Sequence, residues 1–265
     1  MALFADGLVS EAPDLLAYEA DLKEISASEG IDLSTKATLA QTEVGAQLEA
    51  SSRRPGHVFF ANGGGWQATA SEAALPRFDL GQVVVTPPLK LWHTFQTLML
   101  VFRDANSTKV SDKYAAKWRE YKELAKWAQE LLFQTGVGLV TAPVPRPEQP
   151  AIGFAASTLG AMSLFVRMSW VGLNGEEGAA SAARAVKTPD SQAVTVTPPT
   201  APGGVSGWNV YVGLNEDDLQ RQNTTPLSPG GAWVMPAGGV VSGEALGEGQ
   251  TPEAYRTVPR FLQRG

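Results

Sequence analysis

The sequence predicts an α+β protein of two domains, an N-terminal α-helical bundle followed by a C-terminal antiparallel β-sandwich. Apolar residues recur at helical spacing before residue 136 and alternate at strand spacing after residue 150. Glycine and proline are concentrated after Pro143, and a proline-rich stretch from Thr141 to Pro150 indicates a semi-rigid linker. We expect a helical domain at residues 1–142 with a long loop at 55–85, followed by a linker at 143–150. A sandwich domain at 151–247 and an extended tail at 248–265 complete the chain.

Composition limits the classes of function. The 265 residues are 43% hydrophobic and 18% charged, which supplies enough apolar mass for a core. The chain has no cysteine, which excludes disulfides, thiolate catalysis and cysteine-ligated metals. We expect neither a membrane span nor a signal peptide, because no apolar run reaches about 18 residues and no basic, apolar leader opens the chain.

Charge is distributed unevenly along the chain. Residues 1–50 carry 10 acidic and 2 basic side chains, whereas residues 51–150 carry 12 basic and 8 acidic ones. Such a distribution can attract a second copy of the same chain or a partner with patterned charge. The alternative is a solvated surface with uneven charge and no partner.

Two helices are expected before residue 52. The first should span 11–29, with Pro13 in its first turn and Gly30 as its stop. The second should begin at Ser34 as N-cap and end near Ser51. The apolar positions that define the two faces are Leu15, Tyr18, Leu22 and Ile25, then Ala37, Ala40, Val44 and Leu48.

The loop at 55–85 has no sustained helical period, although Gln82 to Val85 fits a short strand. A structureless loop of about 30 residues in a compact domain is usually functional. Phe59, Phe60 and Trp66 therefore become candidates for contact with a partner, and the alternative is a mobile surface loop.

Two long helices follow the loop. Leu89 to Phe102 is apolar on nearly every turn, which predicts a helix buried on all sides. The segment from Ser111 to Thr135 is amphipathic, and we expect its charged side either to be solvated or to face another subunit or DNA in a channel. The lysines assigned to that side are Lys113, Lys117, Lys122 and Lys126.

Short alternating segments separated by Gly/Pro turns favour a sandwich after residue 150. Asn174-Gly175 is the strongest hairpin signal, and the absence of cysteine makes a fibronectin type III-like sandwich the better match. The clearest predicted strands are 164–171, 178–187, 193–196, 207–213 and 231–234.

The last segment is too short and too interrupted by proline to form a domain. Its arginines alternate with apolar residues, so we expect it either to fray or to dock into a neighbouring chain. The residues assigned to partner binding are Tyr255, Arg256, Val258, Arg260, Phe261, Leu262 and Arg264.

No catalytic constellation can be assembled from the sequence. His57 has no partner nearby in the sequence, and His93 lies on the apolar helix, where a histidine is usually structural. Phosphate-binding, nucleophile-elbow and paired-histidine zinc motifs are absent from the sequence. We therefore expect a protein that is not an enzyme and that binds neither a cofactor nor a metal.

Head–tail adaptor (connector) proteins of tailed bacteriophages are similar to three segments: ASEGIDLSTKATLAQTEVGAQL, LKLWHTFQTLMLVFRDA and KYAAKWREYKELAKWAQELLFQTGVG. The Ig/fibronectin-like modules appended to phage structural proteins resemble three others: SLFVRMSWVGLNGEEGAASAA, VTVTPP and SGWNVYVG. Together these cover about residues 10–50 and 86–245. The loop at 55–85 and the appended sandwich depart from the minimal adaptor, which is a small helical bundle alone.

The resemblance implies a structural virion protein at the neck, assembled in the host cytoplasm. Adaptors of this family form a ring, commonly a dodecamer, beneath the portal protein. The ring extends the channel through which DNA passes and docks a tail or neck protein, without contact with a membrane. Family adaptors often insert a C-terminal tail into the portal or a neighbour, which here would be Tyr255 to Gly265.

A second function remains open at this point. The sandwich could recognise carbohydrate or a host surface through aromatic side chains that stack on a ligand. Trp208, Tyr211 and Trp233 are the candidates. Strand alternation turns Trp208 inward together with Val210, which leaves Tyr211 as the better exposed candidate.

Overall fold

The computed structural model describes residues 1–53, 57–60, 77–107 and 112–258. The chain forms two compact units that do not follow simple sequence halves. The helical unit comprises residues 7–141 together with the C-terminal segment from Pro252. The β unit comprises residues 142–251 together with Met1–Asp6. The C-terminal segment, expected to be a separate tail, thus belongs to the helical unit as far as Val258.

The α-helices, in chain order, are α1 (Ala12–Leu16), α2 (Leu22–Glu29), α3 (Leu33–Ser52), α4 (Pro87–Ser107) and α5 (Ala115–Thr135). The strands are β1 (His57–Phe60), β2 (Val137–Leu139), β3 (Ala151–Ala156), β4 (Met162–Gly172), β5 (Arg184–Thr188), β6 (Gln192–Thr197), β7 (Val205–Asn215), β8 (Asp218–Arg221), β9 (Trp233–Val234) and β10 (Ala254–Thr257). Helices therefore dominate the N-terminal part and antiparallel sheets the C-terminal part, which confirms the α+β composition.

The first predicted helix is interrupted, because α1 ends at Leu16 and α2 begins at Leu22. The residues between them make contacts far along the chain. The Tyr18 ring meets Phe95 edge-on with centroids 5.0 Å apart, and the Glu19 carboxylate accepts a hydrogen bond from Lys117. Local spacing cannot predict a break that distant contacts fix.

The start of α3 lies slightly earlier than predicted. Asp32, rather than Ser34, is the N-cap, and its carboxylate accepts a 2.9 Å hydrogen bond from the Ser34 amide. Hydrogen bonds from Thr35 and Ser34 lower the pKa of Asp32 to about 2. An aspartate at this position satisfies the amides that a helix start leaves unpaired.

The core of the helical unit is built around α4. Twelve of its 21 residues are buried, in agreement with the prediction of an enclosed helix. Phe102 of α4 stacks on Tyr121 of α5 with centroids 5.5 Å apart and an interplanar angle of 4°. On another side, the His93 Nε2 lies 3.1 Å from the Ala37 carbonyl oxygen of α3.

A three-stranded antiparallel sheet, absent from the sequence predictions, completes the helical unit. Its order is β1-β10-β2, so the last strand of the chain lies in the middle. Tyr255 is opposite Phe59 of β1 and Gly138 of β2. A Cβ atom at Gly138 would lie 2.8 Å from the Pro252 ring, so only glycine permits this close approach. The segment predicted as a short strand, Gln82 to Val85, contributes only an isolated bridge from Val83 to Leu139.

The β unit contains two antiparallel sheets, with strand orders β3-β6-β9 and β5-β4-β7-β8. Predicted strands coincide with β4, β6, β7 and β9, whereas β3 and β8 were not predicted. The predicted 178–187 strand is shorter, because β5 begins only at Arg184. Buried residues from both sheets join one hydrophobic cluster, among them Leu164, Val166, Met168, Trp170, Val194, Val196, Trp208, Val210 and Trp233.

Candidate functional site

The four lysines assigned to one side of α5 do not share a face. Lys117 and Lys122 are five residues apart, which is about 140° around an α-helix. Lys117 turns toward the α1–α2 connection, where its Nζ donates a 2.6 Å hydrogen bond to Glu19 Oε1. That hydrogen bond raises the pKa of Lys117. Lys113 lies before α5 in a 3₁₀ turn, and its Nζ is 4.8 Å from the Tyr114 ring centroid.

The Glu19 carboxylate links the α1–α2 connection to α5 through two hydrogen bonds. The Tyr121 hydroxyl donates a second 2.6 Å hydrogen bond to the same Oε1 atom. Burial and this hydrogen bond raise the pKa of Tyr121 well above its usual range. Lys117 is therefore engaged within its own chain, although about 45% of its side chain remains exposed.

Lys122 and Lys126 are exposed, and neither forms an ion pair within the described residues. Arg119, which the sequence reading missed, is exposed three residues before Lys122. Their spacing of three and four residues aligns the three cations along one side of the helix. We call these three residues the cationic stripe. The same spacing rule that identified the apolar side would have found Arg119.

Trp127 is the most exposed aromatic residue among those described in the helical unit, with 51% of its surface accessible. It lies about 100° around the helix from Lys126, because each residue of an α-helix turns by that angle. Tryptophan is uncommon in solvent and enriched where proteins bind each other. Trp127 precedes Ala128, which lies on the buried apolar side of α5, so helical spacing alone places Trp127 outside that side. The sequence prediction did not use this spacing.

Two acidic residues lie at the start of α2, just after the connection whose Glu19 binds Lys117 of α5. Asp21 and Glu24 are both exposed and lie about one helical turn apart at the start of α2. Neither forms an ion pair within the described residues. We call these two residues the acidic patch. Gln129 lies two helical turns after Lys122, on the same side of α5, and donates a hydrogen bond to Gln47 of α3. The cationic stripe therefore lies toward α3.

The described part of the C-terminal segment lies inside the helical unit. Arg256 is 3% exposed, donates a 2.9 Å hydrogen bond to the Ser52 carbonyl and lies 5.6 Å from the Phe78 ring centroid. Burial lowers the pKa of Arg256. Val258 is buried, and its amide donates to the Phe133 carbonyl of α5. Tyr255 is half-buried.

Partner binding by these residues stays a prediction, and β10 would have to leave its sheet for Arg256 to reach a partner. The remaining tail residues of that prediction, Arg260, Phe261, Leu262 and Arg264, lie outside the described residues. The same holds for Trp66 of the loop and for the side chains of Phe59 and Phe60, although the backbone of the latter two belongs to β1.

The aromatic residues suggested for ligand stacking in the β unit are buried. Trp208 is 0%, Tyr211 1% and Trp233 7% exposed, so the expectation of an exposed Tyr211 was wrong. Alternation turned Tyr211 away from the hydrophobic cluster, but that side of the sheet is also covered. The Tyr211 hydroxyl donates a 2.5 Å hydrogen bond to Glu177, and burial raises the pKa of Tyr211 beyond its usual range.

His93 is fully buried between α4 and α3. Desolvation lowers its pKa to about 4, so the ring is neutral at pH 7. Across residues 1–53, 57–60, 77–107 and 112–258, no three His, Asp or Glu side chains are arranged to hold a metal ion. None of the helices in the described part of the chain is long and apolar enough to span a bilayer.

The candidate functional surface thus consists of the cationic stripe and Trp127 on α5. The acidic patch at the start of α2 is a second charged surface of the helical unit. Comparison with known proteins finds no family model that matches the chain and no curated protein with significant similarity to it.

Proposed function

We propose that this chain is a structural virion protein, a head–tail adaptor that forms a ring beneath the portal. The ring would extend the DNA channel and dock a tail or neck protein. The observation that carries the proposal is the exposed surface of α5, which presents a cationic stripe and a half-exposed tryptophan on a helix anchored to a buried scaffold. Tryptophan and arginine are enriched in protein interfaces, and a polar, solvent-accessible rim surrounds the interface core.

The helical segments that resemble phage adaptors support this proposal. The first of them, ASEGIDLSTKATLAQTEVGAQL, lies on α2 and α3. The other two lie on α4 and α5. The resemblance therefore falls on helices that pack together in one unit, as expected of an adaptor core.

We further propose that the β unit is an Ig/fibronectin type III-like sandwich. In Ig-type folds, strands B and E pair in one sheet, while C′, C, F and G form the other. The pairing of β3 with β6 and the order β5-β4-β7-β8 follow this pattern in chain order. The pairing of β9 with β6 is an addition to it, and no described strand takes the position of strand A.

Electron microscopy and native mass spectrometry of the purified full chain test the proposal directly. We expect a closed ring at micromolar concentration, and co-sedimentation of that ring with the cognate portal protein. A chain that stays monomeric with and without portal, at both low and physiological ionic strength, would exclude the adaptor function.

A further inference from the structure

We infer that the cationic stripe of α5 binds the acidic patch of α2 on a second copy of this chain, so that copies join head to tail. The inference rests on the proposed function for its occupant, a further copy of the same chain, and it names the two surfaces that meet. Arg119, Lys122 and Lys126 form one surface, and Asp21 and Glu24 form the other.

The two surfaces cannot neutralise each other within one molecule. Lys117, with its Nζ on Glu19, occupies the flank of α5 that adjoins the α1–α2 connection. Lys122 lies about 140° further around the helix. Its neighbour Gln129 contacts Gln47 of α3, which places the stripe on the α3 side. The stripe therefore faces away from the α1–α2 connection, which leads directly into the acidic patch.

Other lysines in the helical unit form ion pairs. Lys36 pairs with Asp104, and the Lys90 Nζ lies 2.7 Å from the Asp14 Oδ1. Within the described residues Arg119, Lys122 and Lys126 form no such ion pair, although Glu123 and Glu130 follow Arg119 and Lys126 by four residues on the same helix. Asp21 and Glu24 likewise pair with no cation in that part of the chain.

The charges suit each other across two copies. Residues 1–50 carry 10 acidic and 2 basic side chains, so a partner's stripe would meet an acidic field around α2. Lys23, the basic residue of α2, lies about 160° around the helix from Asp21 and about 100° from Glu24, so it forms a separate side of the helix from either acid. Complementary fields of this kind steer association and fix which surfaces meet.

Contact between two different surfaces of identical chains is heterologous. Repeated addition closes into a ring when the rotation per subunit divides a full turn, and otherwise gives an open filament. An adaptor ring requires such an interface. Burying the stripe against a neighbour also leaves α4 and its packed core unaffected, since the stripe makes no core contact.

Charge reversal provides the test, with sedimentation velocity of the full chain as readout and circular dichroism to verify folding. We expect Lys122→Glu/Lys126→Glu and Asp21→Lys/Glu24→Lys each to weaken self-association at least tenfold. An equimolar mixture of the two variants should reassemble, because each supplies the surface that the other can bind. The chain that carries all four reversals should also self-associate.

The matched control is Arg146→Glu/Lys187→Glu, which makes the same charge change at two exposed bases of the β unit. It should leave self-association unchanged. If a reversal variant unfolds, Arg119→Ala/Lys122→Ala/Lys126→Ala removes the stripe without adding repulsion and should still weaken assembly. Assembly unaffected by loss of the stripe, or no recovery on mixing folded variants, would overturn the inference.

The outcomes separate this inference from the proposed function. Closed rings that form equally well without the stripe would refute the inference alone. Recovery on mixing, but with open filaments or dimers in place of rings, would support the inference and refute the adaptor ring. A random-sequence DNA duplex serves as the further probe: if Lys122→Glu/Lys126→Glu abolishes DNA binding but leaves self-association intact, the stripe faces DNA and the inference is wrong.

Discussion

Helices α4 and α5 are equally long and pack against each other, yet they play opposite parts. Each has 21 residues, of which twelve are buried in α4 and five in α5. Two polar side chains of α4 also bond inside the fold, since Thr97 Oγ1 donates to the His93 carbonyl and Gln96 donates to Glu43. In α5, one side packs on α4, Lys117 and Gln129 contact Glu19 and Gln47, and residues such as Lys122 and Trp127 are exposed. A helix that is mostly buried acts as scaffold, whereas a helix that is mostly exposed retains a surface for partners.

The largest expected effect concerns how α5 is held at its C-terminal end. Removal of residues 251–265 deletes β10, the middle strand between β1 and β2, and the Val258–Phe133 hydrogen bond. We expect the helical unit to lose about 4 kcal/mol or more, which lowers its Tm by roughly 10 °C. Differential scanning calorimetry would measure this.

The matched control ends the chain at Val258 and thereby keeps β10. That variant should melt like the full chain, and its attachment to portal would test the predicted roles of Arg260, Phe261, Leu262 and Arg264 separately from stability. If the longer deletion also left melting unchanged, β10 would be dispensable, and α5 would owe nothing to the C-terminal segment.

Core truncation should separate the two helices next. Phe102→Ala in α4 removes a ring that is 1% exposed and stacked on Tyr121. We expect a loss of about 3–5 kcal/mol, because the cavity cannot fully collapse. Trp127→Ala in α5 removes a larger, half-exposed side chain and should change the free energy of unfolding by only about 0.5 kcal/mol. Equal losses in urea denaturation would contradict the contrast between scaffold and surface.

Sequence pattern was sufficient for the regular parts of this contrast. The apolar run from Leu89 to Phe102 predicted α4, and alternation around Trp170 and Val210 predicted β4 and β7. These elements bury a continuous stripe, so their periodicity reports their environment.

Long-range pairing could not be predicted in the same way. β10 is four residues long and pairs with strands more than a hundred residues away, and its two buried members are Ala254 and an arginine, Arg256. The break between α1 and α2 depends on Glu19 reaching Lys117 and Tyr121. On α5, the sequence prediction assigned Lys117 and Lys122 to one side of the helix, although five residues of helix place them about 140° apart. Arg119 and Trp127 could have been found by that geometry alone.

Acid should destabilise the scaffold through His93. Its pKa is about 4 in the fold and 6.5 when unfolded, so the unfolded chain binds a proton first as the pH falls. The stabilising contribution of the neutral ring is complete above pH 6.5, declines as the pH falls from 6.5 to 4, and is absent below. A difference of this size corresponds to roughly 3 kcal/mol.

His93→Gln keeps an amide donor near the Ala37 carbonyl but does not titrate in this range. The free energy of unfolding of the variant, followed by urea titration between pH 7 and pH 4, should therefore fall less steeply than that of the parent by about this amount. Parallel pH profiles would show that His93 is not the source of acid sensitivity in α4.

The smallest effect distinguishes two lysines of α5 itself. Lys117→Met breaks the contact with Glu19, whose side chain is 13% exposed and would keep only the Tyr121 hydroxyl. Because Lys117 is itself 45% exposed and solvent screens the pair, we expect a loss of about 0.5–1 kcal/mol. Lys122→Met removes a cation without an ion pair in the described structure and should leave unfolding unchanged within about 0.3 kcal/mol. Self-association should show the reverse order, with Lys122→Met weakened and Lys117→Met close to the parent. If both lysines affected stability and assembly alike, α5 would have no division between a supporting flank and a binding flank, and the contrast with α4 would be one of exposure alone.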